Sequence, residues 1–195
     1  MKRILLVVLA LMASGCAEPT PRNLDDLSMQ GPQYLDPETL EPYSGPAYRM
    51  SEDDSTQIVL RVNLRDGRFH GDFEDFDPER FRELGLGIYQ TGSYMDGQRV
   101  GSYEYVYPSG APRGHGTYEN GEVNGTYESY YENGQLLGMN TYKEGVLDGP
   151  SESYHQDGRL QSRGAWNMGE ACGRWIIVGE ARTLPPCPPG LEDGN

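Results

Sequence analysis

Basic residues are scarce in this chain of 195 residues, which has 16 lysines and arginines against 30 aspartates and glutamates. Nucleic-acid binding requires clustered Lys and Arg side chains that neutralise phosphates, so the composition predicts that nucleic acid is not a partner. The formal net charge is -14. Such acidity would keep the protein soluble, and it would also attract a basic partner. The composition leaves both explanations open.

Histidine and cysteine, which recur in catalytic and metal sites, occur only three times each. His70, His115 and His155 are not accompanied by a Ser, Cys or acid pair in a recognisable motif. Cys172 and Cys187 lack the C-x-x-C spacing, and no histidine is near either of them in sequence. We therefore predict no catalytic residue, no metal site and no cofactor, and we expect the protein not to be an enzyme.

The chain also lacks an apolar run of the roughly 20 residues that a membrane-spanning helix needs. It begins instead with Lys2 and Arg3, nine consecutive apolar residues, and then Ala13-Ser14-Gly15-Cys16. This order is typical of a secretory signal and predicts a signal peptide over residues 1–15. Its ending resembles a bacterial lipobox, in which the cysteine is diacylated and becomes the first residue. An ordinary secretory signal followed by a chance cysteine is the alternative.

The lipobox resemblance implies an exported protein that Cys16 anchors in the cell envelope through lipid. One acyl chain binds a membrane only marginally, whereas the two or three chains of a lipoprotein anchor it firmly. Ala17, not Asp, follows the cysteine. By resemblance to enteric lipoproteins, this implies the outer membrane, with the protein on its periplasmic or surface side. Prolines in residues 16–42 predict a tether with at most one early strand, near Gln33 to Leu35.

Two cysteines then remain, Cys172 and Cys187, in a compartment that permits disulfides. We expect them to be paired. The bridge would close a loop of about 15 residues, worth roughly 3 kcal/mol in the entropic model. Cys187 lies in a proline-rich C-terminal tail, residues 179–195. Held by this bridge, the tail would cover the open sheet edge that we expect after Ile176 and Ile177.

A repeat of glycines and aromatic residues organises the middle of the chain. Two glycine series and one aromatic series share a 24-residue interval: Gly101, Gly125, Gly149 and Gly173; Gly97, Gly121, Gly145 and Gly169; and Tyr94, Tyr118, Tyr142 and Trp166. A period of roughly 20 to 50 residues marks a stacked repeat array. We therefore predict a repeat domain over residues 43–178. Its units are 45–70, 71–100, 101–124, 125–148, 149–172 and a partial unit 173–178.

Turn signals within the units predict an all-β fold. Asn133-Gly134 lies between two strand-like runs and favours a type I′ turn, in which both central residues have positive φ. The same chemistry recurs at Asp66-Gly67, Asp96-Gly97, Asn120-Gly121 and Asp157-Gly158. Successive hairpins predict an elongated antiparallel β-meander of about eleven strands. Asp77-Pro78-Glu79 has a helix-start pattern, which predicts a short helical insertion near 77–84.

Alternate residues in the second strand of each unit combine small residues with an aromatic one, as in Gly138, Asn140 and Tyr142. Because side chains alternate between the faces of a strand, the small residues leave room for rings to lie over the sheet. In the first strand, a glutamate falls three residues after the glycine, giving Glu74, Glu104, Glu128 and Glu152. We expect this column to be solvated or bonded to tyrosines; a site for a cation or basic peptide is the alternative.

The segment from Tyr118 to Gly134 has the pattern Y-x-x-G-x-x-x-G-x-x-x-x-Y-Y-x-x-G. This pattern resembles the bacterial variant of the MORN (membrane occupation and recognition nexus) repeat, and the resemblance extends over residues 43–176. The chain is most similar to the group labelled toxin-antitoxin system YwqK family antitoxin, which also has the motif Pro42-Tyr43-Ser44-Gly45 before its first repeat. The resemblance implies hairpin repeats and, by that label, neutralisation of a toxin. Eukaryotic MORN arrays serve membrane association and scaffolding, which the resemblance also suggests.

Tyrosines supply the candidate binding surface, because a large rigid ring with one polar tip suits contact surfaces. We predict that five of them are exposed and available for binding: Tyr103, Tyr105, Tyr107, Tyr127 and Tyr131. The alternative is that the same residues form the packed face of the sheet. The leading hypothesis is a non-enzymatic lipoprotein that acts as a scaffold and binds another protein or an envelope polymer. The alternative is an immunity or antitoxin-type protein that neutralises a basic toxin.

Overall fold

The computed structural model describes residues 19–76 and 89–191. The predicted signal peptide, the lipidation site Cys16 and the predicted helical insertion near 77–84 lie outside the described residues.

Seventeen strands and one 3₁₀ turn, Leu24–Asp26, make up most of the described residues. The strands are β1 Arg22–Asn23, β2 Ser28–Gln30, β3 Gln33–Leu35, β4 Gly45–Met50, β5 Ile58–Arg65, β6 Arg68–Phe69, β7 Gly71–Asp75, β8 Tyr89–Met95, β9 Gln98–Val106, β10 Pro112–Glu119, β11 Glu122–Val123, β12 Gly125–Tyr130, β13 Leu136–Lys143, β14 Val146–Tyr154, β15 Leu160–Asn167, β16 Glu170–Ile177 and β17 Glu180–Thr183. The predicted all-β fold is confirmed. The run from β4 to β16 contains the predicted number of about eleven strands, with β6–β7 and β11–β12 each counted as one interrupted strand, and β1, β2, β3 and β17 lie outside that run.

One long sheet contains nearly all of these strands, in the order β1-β4-β5-β7-β8-β9-β10-β12-β13-β14-β15-β16-β17. From β4 onward each strand is antiparallel to its neighbour, so the predicted meander is confirmed. The two-residue strand β1 adds to β4 in parallel. Strands β2 and β3 form a separate hairpin.

The hairpins between units have type I′ geometry. Asp66, Asp96 and Asn120 have φ of 49°, 51° and 52°, and the glycine after each also has positive φ, as we predicted for these pairs. The later hairpins place Glu144, Met168 and Val178 in the same conformation. These three residues are poor turn formers, so the glycine that follows each one is the signal that persists in the sequence.

The hairpins within units have a different turn, so our type I′ prediction for Asn133-Gly134 and Asp157-Gly158 is wrong. Only the glycine has positive φ in each pair, 84° for Gly134 and 81° for Gly158. The Gly134 N–H donates to the carbonyl of Tyr131 at 2.8 Å, and the Asn133 side chain accepts from the Gln135 N–H at 3.1 Å. These contacts define a type I turn followed by a left-handed glycine.

The glycines of the Gly101 series sit at bulges. On one side of Gly149, Tyr142 lies opposite Leu147, whereas on the other side Asn140 lies opposite Ser151. Strand β14 therefore contains two more residues than β13 over this interval. Gly149 has φ of 131°, and Gly101, Gly125 and Gly173 have φ between 69° and 87°. The 24-residue glycine period thus records a regular series of backbone bulges that only glycine accommodates without strain.

The segment that we predicted to be a tether, residues 16–42, is folded from Arg22 onward. Leu24, Leu27 and Leu35 are buried, and the first two pack with Tyr43 on Ala47, Val62, Leu64 and Phe73 of the sheet. The tether prediction is therefore wrong for residues 22–42, because the burial of three leucines stabilises a folded conformation of this segment despite its prolines. The early strand that we expected near Gln33 to Leu35 is β3.

The C-terminal tail covers the edge of β16, as we predicted, but it does so with a strand. β17 pairs with β16 from Ile177 opposite Glu180 to Arg174 opposite Thr183. Beyond β17, Leu184 N–H donates to the Gly173 carbonyl, and Gly173 N–H donates to the Pro185 carbonyl, both at 2.8 Å. The predicted bridge between Cys172 and Cys187 is confirmed, with an S–S distance of 2.04 Å.

Within residues 19–76 and 89–191, no helix has the length and apolar character that a membrane span requires.

Candidate functional site

The face of the sheet that buries the N-terminal leucines continues, beyond β8, as a surface of tyrosine rings. We call Tyr103, Tyr105, Tyr118, Tyr127 and Tyr142 the aromatic face; they lie on β9, β10, β12 and β13. Tyr103 is central, since its ring centroid is 4.4 Å from that of Tyr118, 5.5 Å from Tyr105 and 6.1 Å from Tyr127. Consecutive units are therefore joined by ring contacts.

Glycines in the neighbouring strands make room for these rings. A Cβ on Gly116 would lie 2.9 Å from the Tyr103 hydroxyl, and one on Gly114 would lie 2.4 Å from the Tyr127 hydroxyl. Trp175 lies over Gly164 in the same way, with ring carbons 2.1 and 2.2 Å from the position of a Cβ. Rings over small residues are the core that the alternation pattern predicts.

The prediction that Tyr103, Tyr105, Tyr107, Tyr127 and Tyr131 are exposed is wrong. Tyr103 is only 5% exposed, and the other four rings are half-buried. The reason is that these tyrosines themselves form the layer that packs on the glycine-lined strands. Three of them, Tyr105, Tyr127 and Tyr103, belong to the aromatic face, and only the parts of the rings that remain accessible can contact a partner.

Burial perturbs the titration of the aromatic face. It raises the pKa of Tyr105 to about 12 and also raises the pKa of Tyr103 and Tyr127 above the ordinary value near 10, with neighbouring tyrosines adding to the effect.

We expect the stability of the fold to fall as the pH rises above 10. The unfolded chain then loses phenolic protons that the folded chain retains, so the free energy of unfolding declines between about pH 10 and pH 12. Absorbance of phenolate should show a late-titrating group of tyrosines in the folded protein. In the Tyr105→Phe variant, the late-titrating group should contain one tyrosine fewer. A titration in which all tyrosines ionise near pH 10 while the protein stays folded would contradict this assignment.

An arginine that no sequence pattern singles out joins two units of the aromatic face. Arg99 donates from Nε to the hydroxyl of Tyr94 at 3.2 Å and from Nη1 to the hydroxyl of Tyr118 at 3.1 Å. Its guanidinium also lies over the ring of Phe73, 5.6 Å from the centroid. Arg99 is half-buried, so the face combines aromatic rings with a fixed positive charge in an otherwise acidic protein.

Two of the five predicted surface tyrosines bridge consecutive units through their hydroxyls. Tyr107 donates to the carbonyl of Tyr130, and Tyr131 donates to the carbonyl of Tyr154, each at 2.8 Å. These residues occupy the same position in units three and four, and His155 occupies it in unit five. They tie each unit to the next one.

Replacing Tyr131 by phenylalanine should lower the free energy of unfolding by about 1 kcal/mol, because the Tyr154 carbonyl loses its side-chain donor. Tyr107→Phe should have a similar effect, since its hydrogen bond is equivalent. Urea denaturation monitored by tryptophan fluorescence measures both variants. If the two substitutions leave the unfolding midpoint unchanged, the bridging hydrogen bonds contribute nothing to stability.

The opposite face of the sheet carries the predicted glutamate column, which we call the glutamate row: Glu74, Glu104, Glu128 and Glu152. The four glutamates lie on every second strand, and one residue of each strand between and beside them lies directly opposite. From β5 to β15 the residues in line are Arg61, Glu74, Thr91, Glu104, His115, Glu128, Met139, Glu152 and Arg163. The two ends are neutralised, because Arg61 pairs with Glu74 at 3.1 Å and Arg163 pairs with Glu152 at 2.7 Å.

Tyrosines also contact the glutamate row, as we expected. Tyr130 donates to Glu128, and Tyr154 donates to Glu152. The first of these bonds raises the pKa of Tyr130 to about 12. In the centre, His115 lies directly opposite both Glu104 and Glu128, with its Nε2 3.8 Å from Glu128 Oε2. The two central glutamates of the row therefore have a histidine beside them, where the glutamates at the two ends have an arginine.

Within residues 19–76 and 89–191, no group of three or more His, Cys, Asp or Glu side chains is placed to hold a metal ion. A cleft of about 340 Å³ lies on β4, β5 and β7, where Tyr48, Arg61 and Glu74 contribute to its lining. Two of its charged groups, Arg61 and Glu74, are paired with one another, and a third, Asp72, accepts a hydrogen bond from the Ser93 hydroxyl.

Comparison with known proteins supports the repeat. Residues 123–144 match the family model described as MORN repeat variant. This match covers β12, β13 and the bulge glycine Gly125, which are the elements with the strict 24-residue period. No curated protein is significantly similar to the chain. The chain thus contains a MORN-type repeat, and a repeat of this type suggests a repeat-based binding scaffold.

Proposed function

We propose that this chain is a non-enzymatic, membrane-anchored lipoprotein that holds another protein or an envelope polymer on its aromatic face. The observation that supports the proposal is the contrast between the two ends of this face. At β4–β7 it is covered by Leu24, Leu27 and Tyr43. Among the described residues, only neighbouring strands pack extensively against β9–β13, and every ring of the aromatic face except that of Tyr103 keeps an accessible part.

The aromatic face suits binding for a physical reason. Its rings are held by glycine-lined strands and by contacts with one another, so few rotamers remain to be frozen when a partner binds. Tyrosine presents both apolar area and a hydroxyl, and Arg99 adds a charge that can hydrogen-bond. A surface that is already ordered loses less conformational entropy on association than a mobile one.

The test uses the full-length chain in intact envelopes with a photo-crosslinking phenylalanine analogue at Tyr105. The matched control places the same analogue at Glu104, because adjacent residues of β9 point to opposite faces of the sheet. Adducts with a reproducible envelope component from position 105, absent from position 104, support the scaffold on the aromatic face. Adducts from position 104 alone would refute that face as the contact surface.

The anchor has a separate test. We propose that lipid on Cys16 retains the protein at the envelope, with the outer membrane as its destination. The Cys16→Ala variant should then move from the membrane fraction to the soluble fraction of the exported protein. Its Tyr105 adducts with membrane-associated partners should disappear. Unchanged fractionation of this variant would contradict the lipid anchor. It would not affect the proposal for the aromatic face, which the crosslinking experiment tests separately.

A second candidate function is immunity against a basic toxin, and the glutamate row favours it. Among the described residues, no arginine neutralises the centre of that row, around Glu104 and Glu128, as arginines do at its ends. A basic toxin bound there would give adducts from position 104, and raised salt would weaken its co-purification with the chain. Loss of co-purification in a Glu104→Gln, Glu128→Gln variant, with the aromatic-face adducts retained, would favour this function.

A further inference from the structure

The sheet ends at β17, whose outer edge has no neighbouring strand among the described residues. All four residues of β17, Glu180–Thr183, are exposed. We propose that this edge pairs with the β17 of a second copy of the chain, in an antiparallel arrangement that joins two sheets into one.

β17 has backbone N–H and C=O groups that point away from β16, toward the position of an added strand. Val178 and Gly179 have positive φ and form a two-residue turn, so the flanking residues Ile177 and Glu180 exchange backbone hydrogen bonds. The alternation of an antiparallel ladder then directs the N–H and C=O of Arg182 toward β16. It leaves those of Ala181 and Thr183 directed away from the sheet. The bond from Leu184 N–H to the Gly173 carbonyl fits the same alternation.

The charges of β17 select one pairing register. A two-fold axis through Ala181 sets Glu180 of each copy opposite Arg182 of the other, so two opposite-charge pairs form. An axis through Arg182 would set two guanidinium groups opposite one another, which is unfavourable. Edge strands are commonly protected from pairing by charge. Here the opposite signs two residues apart make the edge complementary to itself.

The neighbouring residues extend this complementarity. The register through Ala181 brings Val178 of one copy toward Leu184 of the other. Val178 is 68% exposed in the single chain, which is a large fraction for an apolar side chain. Such contact at both ends of the new ladder would remove apolar surface from water.

The edge is also held in shape before it meets a partner. The disulfide Cys172–Cys187 closes the tail onto β16, and the Leu184 and Pro185 backbone bonds to Gly173 fix the chain just beyond β17. An ordered edge loses little entropy when it pairs. With only four strand residues per copy, the association should be weak and dependent on concentration.

The experiment measures self-association of the full-length chain in density-matched detergent by sedimentation equilibrium. We expect a monomer–dimer equilibrium. Glu180→Arg and Arg182→Glu should each weaken it by about tenfold or more, because each creates two like-charge pairs. The double variant Glu180→Arg/Arg182→Glu should restore it. An equimolar mixture of the two single variants should form a heterodimer, because each supplies the charges that the other lacks.

A backbone variant gives an independent control. Ala181→Pro removes an N–H that points away from β16, so the monomer should stay folded while dimerisation is lost. A chain that stays monomeric at every concentration would overturn the proposal. A dimer that persists in Ala181→Pro, or that is insensitive to both charge reversals, would place the contact elsewhere and also overturn it. Pairing of β17 with a strand of a different protein, without self-association, would do the same.

Discussion

Replacing Gly164 by alanine is expected to lower the free energy of unfolding by about 3 kcal/mol, the upper end of the usual cost of overpacking. The added Cβ would lie 2.1 Å from Cδ2 and 2.2 Å from Cε2 of Trp175. Trp175 is 9% exposed and packs edge-on against Trp166, with ring centroids 5.4 Å apart. The ring cannot move away without losing that packing. Because Trp166 and Trp175 are the two tryptophans of the chain, urea denaturation followed by their fluorescence reports on this site directly.

Two further variants separate crowding from backbone effects. Gly110→Ala places a Cβ where no heavy atom lies within 4 Å, but at φ of 86°, so it should cost only the backbone strain of about 1 kcal/mol. Trp175→Leu is destabilising by itself, but adding Gly164→Ala in that background should cost much less than 3 kcal/mol. If Gly164→Ala is no more harmful than Gly110→Ala, Trp175 does not lie over Gly164.

The repeat was predictable because its strongest constraints are steric. A bulge that needs positive φ, as at Gly125, and a site under a ring, as at Gly114, both exclude a Cβ. Both therefore leave glycines at fixed intervals in the sequence. The same logic applies to Trp175, which follows Tyr127 by two repeat intervals and lies over a glycine as Tyr127 does. Phase within the repeat is thus the sequence signal that points to this tryptophan as a buried ring.

The exposure of the tyrosines was not predictable from alternation alone. Alternation assigns Tyr103 and Tyr127 to one face, but it does not say whether that face is bare or is itself the packed layer. The tyrosine rings are buried because the glycines of the neighbouring strands have no side chain, so the rings can lie directly on the backbone of the sheet. Register shifts add a second difficulty. The shift between Ser129 and Tyr130 sets Leu136 opposite Tyr130, so alternation counted from Gly138 fails at Leu136.

The N-terminal segment shows where composition misleads. Prolines in residues 16–42 suggested a linker, yet Leu24 is 2% exposed and packs on the sheet. A repeat array exposes the apolar face of its first unit unless something covers it. Leu24, Leu27 and Tyr43 meet that need at one end of the sheet, and the disulfide-bonded tail meets it at the other. The covering of the C-terminal edge by the disulfide-bonded tail was predicted from the sequence, whereas the N-terminal segment that covers the first unit was not.

Removing the disulfide should destabilise the C-terminal end of the sheet by about 3 kcal/mol, the entropic value for a closed loop of this size. The cysteines are 15 residues apart, and Cys172 is buried, so the appropriate variant is Cys172→Ala/Cys187→Ala. Each unit contacts mainly its neighbours, so the loss should be local and not shared by the whole array. Hydrogen exchange should show faster exchange at the amides of Gly173 and Leu184, which bond across the covered edge. The amide of Gly67, which donates to the Tyr43 carbonyl at the other end of the sheet, should be unaffected.

Chemical reduction supplies the control for this last prediction. Reductant should reproduce the effect in the natural chain and have no further effect on the double variant, because that variant has no bridge left to break. If β17 and the tail were held by the backbone ladder alone, exchange at Gly173 and Leu184 would remain slow after reduction, and the bridge would contribute little. Fast exchange at these amides with an intact N-terminal end would mean that the disulfide, more than the four-residue ladder of β17, keeps the edge of β16 covered.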